Sequence, residues 1–414
     1  MKRLFFLVLL TVGWNVFSQN LWEEKIYHPL IKSVKIEIAG VDLSYPVIDL
    51  EGNKHLRLKF DELSEQTKRY EWKIIHCNAD WTQSELDPMQ YIEGFHYGMI
   101  ENYANSFNTI QRYVHYWQDF PNSTMRFLVS GNYIIKVYEE YNEDKVIFTR
   151  RFYVCDNSSF AGATVLQARD PSLQRYFQEI EVQVTPTDGF SFSNPKENVK
   201  VVVQQNGRRD NISLLRLRQI KGITLDYSFD RSNIFDGGNE FRNFDFTSLR
   251  TRSLRVARLD YISEENQVFL IKETDRGRSV YSSAGDIDGN YFIRNDYQDD
   301  FDISSDYAWI HFTFPSQINL EGAYYVVGEL SDWYLSEQNR MLYDQQAKAY
   351  TLSLFLKQGF YDYMIFFKPV NTVVSDVSRV EGNHSETQNT YHVLVYYRKP
   401  GDRFDSLTAC TEVK

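Results

Sequence analysis

The chain has 414 residues, with 56 acidic against 45 basic side chains and a formal net charge of −11. That balance disfavours a nucleic-acid partner, because a phosphate backbone is held by clustered Lys and Arg. Aromatic residues reach 16%, with 29 Tyr and 29 Phe, the profile of half-buried strands, while three cysteines are too few for a disulfide scaffold, so the core is ordinary hydrophobic packing. A chain of this length calls for two to four domains.

Residues 1–18 carry a basic pair (Lys2, Arg3), an apolar run from Leu4 to Val12 and a small residue, Ser18. This is the layout of a secretory signal peptide, and export follows from it as the expectation. Gln19 follows the expected cleavage point, so no cysteine is there to take a lipid. No later stretch approaches the roughly 20 apolar residues of a transmembrane helix.

Period-two alternation then dominates. Segments 34–40, 55–60, 70–77, 108–117, 123–129, 132–139 and 146–155 read as strands separated by turn residues. Such a run of short strands suggests an immunoglobulin-like sandwich, placed at 19–158. Segments 176–186, 199–207, 223–229, 254–262 and 267–273 suggest a second sandwich at 159–303. A third is expected over 304–400, from 306–314 to 390–398, with 401–414 as a C-terminal tail. The fold class is therefore all-β, three consecutive β-sandwich domains with little helix.

The stretch HCNADWTQSELDP (76–88) gathers residue types that ligate metals and move protons. In the strand before it, Tyr70, Trp72, Ile74 and His76 share one face and Cys77 points to the other, so His76 and Cys77 cannot form a local dyad. A zinc site would need about four ligands, and no second Cys/His cluster completes one. No catalytic, metal or cofactor residue is assigned. The turn-rich loop after the strand, with Asn78, Asp80, Trp81, Gln83 and Asp87, is instead a candidate partner contact, against the alternative that Trp81 packs back on its own sandwich.

Asp286, Asp288 and Asn290 are spaced like the start of a calcium loop, but glycine stands at the fourth place and Tyr297 where the closing Glu belongs. An Asp-Gly hairpin turn is the expectation there. The carboxylates Asp296, Asp299, Asp300, Asp302 and Asp306 read as a solvated linker.

Two resemblances add to this. The stretch YYVVGELSDWYLSEQNRMLYDQQAKAYTLSLFLKQGFYDYMIFF is similar to glycogen-binding modules, in which the tryptophan matching Trp333 stacks on sugar. The family's lysine is Met364 here, and its second tryptophan is missing from KPVNTVV, so Trp333 is expected to keep a fold and not a glycan site. YEWKIIHCNADWTQSELDPMQYIEGF, SFNTIQRYVHY, PNSTMRFLVSGNYIIKVYE and VIFTRRFYV, in that order, resemble the first domain of the type IX secretion system plug proteins of Bacteroidetes. The resemblance implies a non-enzymatic periplasmic protein, associated with the outer membrane, that binds and occludes the periplasmic side of the translocon barrel. It implies no cofactor, nucleic acid or small-molecule substrate. A periplasmic glycan-binding protein is the alternative.

Overall fold

The computed structural model describes residues 23–318, 321–372 and 374–414; the expected signal peptide lies outside them. Strands dominate, and the four α-helices among the described residues are single turns of four residues each. None of the helices is long and apolar enough to cross a membrane.

The first sandwich pairs a sheet ordered Ile31–Ile38, Leu56–Glu62, Val114–Phe120, Asn102–Asn105 with one ordered Val47–Asp49, Asn142–Cys155, Gly131–Glu139, Tyr70–Cys77, Tyr97–Met99. Alternation explains its core. Tyr70, Trp72, Ile74 and His76 share one face, as expected; it points inward and meets Leu58, Phe60, Tyr116, Tyr133 and Phe148.

The second sandwich departs from its expected limits. Ser159–Gln167 and Phe177–Pro186 lead one sheet, but the other is ordered Ile212–Leu215, Val199–Gln205, Tyr391–Tyr397, Ser406–Val413. The last two strands, assigned by sequence to the third domain and to a tail, therefore close the second. The third sandwich is inserted between Ile234–Asp236 and Tyr391–Tyr397 of the second. It starts near Arg242–Asp245, takes Val256–Ile262 and Glu265–Leu270 from the expected second domain, and builds its sheets around Gly359–Pro369 and Tyr307–Pro315. Alternation marks strands but carries no information on which strand pairs with which, so the insertion left no trace in the pattern.

Tyr391–Tyr397 explains why the second sandwich needs its neighbours. All of its residues are buried. Tyr391, Val393, Val395 and Tyr397 enter the sandwich core. On the opposite face Leu394 and Tyr396 pack with Tyr153, Cys155 and Leu407 against the first sandwich. A strand buried on both faces reads as a continuous apolar run, as YHVLVYY does.

Candidate functional site

The loop singled out by sequence lies mainly at the junction of the first and second sandwiches. His76 is fully buried. Its Nε2 reaches the Ser130 carbonyl oxygen at 3.2 Å, which can only accept, so Nε2 carries the proton and Nδ1 accepts from the Ser84 hydroxyl at 2.8 Å. Burial lowers its pKa to about 4. Cys77, buried on the other face, is pushed by burial up to about 12, so at neutral pH the pair supplies neither thiolate nor imidazolium. Gly131, in a left-handed conformation, lets the backbone pass against the His76 ring, where a Cβ would clash.

Asn78 faces the second sandwich: its side-chain oxygen accepts from Arg398 Nη2 at 2.9 Å, and its carbonyl accepts from Asn132 Nδ2 at 3.0 Å. Tyr396 donates to Asn132 Oδ1 at 2.7 Å. Asp405 joins the same junction, accepting from Ala79 N at 3.1 Å, Lys200 Nζ at 3.0 Å and Arg398 Nε at 2.8 Å. Asp405 lies in the segment expected to be a tail, and sequence gave no signal for it. Trp81, with φ +67°, stands edge-on to Tyr153 at 5.4 Å and lies under the Arg151 guanidinium at 4.2 Å. Asp80, Gln83 and Asp87 are left exposed.

The junction with the third sandwich is charged. Asp61, fully buried, binds Lys357 Nζ at 2.6 Å, His115 Nδ1 at 2.6 Å and the Tyr307 hydroxyl at 2.7 Å. Asp306 accepts from the backbone of Ile110 at 2.7 Å and Gln111 at 3.1 Å, and Lys59 stands 3.6 Å from Asp302. These two carboxylates are interface groups, a correction to the solvated linker expected there.

Where all three sandwiches meet, a cleft of about 790 Å³ opens. Its floor is the outer face of the second sandwich, including Val202, His392 and Leu394. Its walls come from Tyr45 and Trp81 of the first and from the turns around Asp286 and Asp332 of the third. The DIDGN turn has positive φ at Asp288 and Gly289, as Asp-Gly predicts, but the segment before it is not a strand, so it is a loop turn and not a hairpin. Trp333 borders this cleft yet is only 8% exposed. Consecutive left-handed residues, Asp332 and Trp333, turn the indole inward against Phe241 and Met364, with the Arg208 guanidinium 5.3 Å from its ring. Its faces serve packing, and a sugar would have to displace that arginine. Among the described residues no three His, Cys, Asp or Glu side chains are grouped to hold a metal ion.

A different surface was not singled out by sequence. Phe95, Tyr97, Met99, Tyr103, Phe107 and Ile110 are all exposed, Phe107 at 63%. Tyr97–Met99 and Asn102–Asn105 are the end strands of the two sheets of the first sandwich, which leaves Tyr97, Met99 and Tyr103 along its outer edge, while Phe107 and Ile110 flank the junction with the third sandwich, where Phe107 N donates to the Ile303 carbonyl at 2.9 Å.

The family profile described as "Type 9 secretion system plug protein 1st domain" matches residues 31–156, the first sandwich. No protein of curated function matches the chain. A crystal structure of a hypothetical protein from Parabacteroides merdae is similar over nearly the whole length: 34% identity, TM-score 0.90, 94% of this chain and 98% of that one. The chain belongs to the type 9 secretion system plug protein family, with a role related to type IX secretion in the cell envelope.

Proposed function

We propose that the chain is a non-enzymatic periplasmic component that binds the periplasmic side of the outer-membrane translocon barrel and occludes it when no transport is under way. The observation that carries this reading is the plug-domain match of the first sandwich. The junctions support it, since that sandwich is joined to its neighbours by buried apolar and charged contacts and so belongs to one packed body. A barrel with an aqueous lumen leaks unless filled, and a packed stack of sandwiches fills it without chemistry. A reversible plug needs a few aromatic anchors in a polar rim. The outer edge with Tyr97 and Tyr103, and Phe107 beyond the end of that edge strand, supply anchors, and Asp80, Gln83 and Asp87 supply rim groups.

Deleting the protein is expected to admit large hydrophilic dyes while secretion continues, and deleting the barrel as well should abolish the leak. Unchanged permeability in the single deletion, or a leak that persists in the double deletion, defeats the occlusion reading. Asp80→Lys with Asp87→Lys should leak partially if that rim meets the barrel.

A further inference from the structure

Of the residues that line the cleft between the sandwiches, the occlusion reading uses only Asp80, yet the cleft walls hold groups that a folded chain normally satisfies internally. Ile212–Leu215 is the end strand of its sheet. Ile212, Ser213 and Leu214 line the cleft in succession, so the strand presents its edge there and not only one face. Among the described residues no backbone hydrogen bond reaches that outer edge. Ile212 and Leu214 are 56% and 58% exposed, an apolar pair at alternate positions.

Charge is the second observation. The cations around the cleft have partners: Lys35 with Glu329 at 3.0 Å, Arg150 with Asp332 at 3.0 Å, Arg209 with Glu24 at 2.6 Å, Lys200 with Asp405 at 3.0 Å, Lys414 with Asp288 at 3.6 Å, and Arg151 over the Trp81 ring. Asp286, which lines the cleft, accepts only from the backbone N–H groups of Phe241 and Asp288, and no cationic side chain pairs with it among the described residues. A third observation concerns His392, 7% exposed on the cleft floor and stacked on Tyr45 at 3.8 Å; its Nε2 is 3.4 Å from Glu412, and its Nδ1 has no hydrogen-bond partner among the described residues.

We propose that this cleft binds an extended segment of a partner protein, in which apolar residues alternate with at least one basic residue, added as a strand to the edge of Ile212–Leu215 with its cation on Asp286. Backbone hydrogen bonds along a free edge give such binding its affinity, and side chains at alternate positions give it selectivity. Ile212 and Leu214 receive the apolar side chains, and His392, its Nδ1 buried and unpartnered among the described residues, lies on the floor beneath. Burial pushes the Asp286 carboxyl up to about 7, so a cation brought against it draws it into its charged form and is selected over an anion.

The test uses the mature full chain and three labelled octapeptides: alternating valine and lysine, alternating valine and glutamate, and the lysine peptide interrupted by proline. Fluorescence anisotropy should show the lysine peptide binding about tenfold or more tighter than the other two. Hydrogen exchange should slow across residues 212–215 when it binds. Asp286→Asn and, separately, the exposed change Leu214→Asp should each weaken binding about fivefold or more, with melting curves confirming that both variants fold. Absence of binding overturns the proposal. So does binding that ignores both substitutions, or that leaves the exchange of residues 212–215 unchanged, which is the signature of non-specific attraction to an acidic protein.

Discussion

Asp61 and Asp362 are both fully buried carboxylates, and they end on opposite sides of the ordinary carboxylate range. Burial pushes Asp61 up, but Lys357 and then His115 pull harder, and its pKa falls below the usual value. Burial likewise pushes Asp362 up, and here the Ile287 and Gly289 backbone N–H groups at 2.6 and 3.3 Å are too little against neighbouring Asp286 and Asp288, so it rises to about 8. One Asp362 oxygen has no hydrogen-bond partner among the described residues. A cation within reach, and not depth, decides whether a buried carboxylate joins two domains or holds a proton.

The largest expected effect breaks the first member of the pair. Lys357→Met removes the ammonium 2.6 Å from Asp61 and leaves the carboxylate charged in a dry interface. Loss of one partner of a buried ion pair costs about 3–5 kcal/mol, readable as a drop in the urea midpoint. Adding Asp61→Leu to that variant should restore much of the loss, because it removes the stranded charge. A lowered folded pKa means that the stability from Asp61 is present above about pH 4 and lost as pH falls through the folded value, so the double variant should also lose part of the acid sensitivity.

Asp362 carries the opposite sign. Its raised folded pKa favours folding fully below about pH 4 and loses that contribution as pH rises through about 8. Asp362→Asn removes the titration while keeping an acceptor for Ile287 N–H. Its stability relative to wild type should improve by about 1–3 kcal/mol between pH 5 and pH 8, given about 1.4 kcal/mol per pKa unit and some relaxation of the site. Parallel stability curves for the two proteins across that interval would show that Asp362 is ionised throughout.

The local code was legible and the assembly was not. The faces of Tyr70–Cys77 followed from alternation, and the opposed His76 and Cys77 with them, because side-chain direction in a strand is set by position alone. Nothing local shows that Tyr391–Tyr397 returns to pair with Val199–Gln205 across an inserted sandwich. The contacts that tie Asp61 and Asp405 to another sandwich come from distant positions, Lys357 Nζ to the first and Ala79 N to the second, so those roles existed only after the domains met. Trp81 and Tyr103 make the same point from the surface. Both are aromatics of the first sandwich, but Trp81 lies under Arg151, whereas Tyr103, on an end strand, is 51% exposed.

That last contrast yields the smallest expected change in stability and the most direct reading of function. Tyr103→Ser with Phe107→Ser alters two exposed side chains, one on the outer edge and one just past the end of that strand, and neither substitution opens a cavity in the core. Surface changes of this kind stay within about 0.5 kcal/mol each, so the urea midpoint should barely move. Aromatic anchors at an interface are another matter: truncating one that fills a partner's pocket costs about 2 kcal/mol or more in binding. The variant protein should therefore fold normally while dye exclusion by the outer membrane fails. Trp81→Ala supplies the mirror case, a loss of stability of about 2 kcal/mol through the junction, with a leak only in proportion to the protein lost. If the edge variant leaves the barrier intact at normal protein levels, the edge is not the contact, and the exposed rim at Asp80, Gln83 and Asp87 becomes the surface to change next.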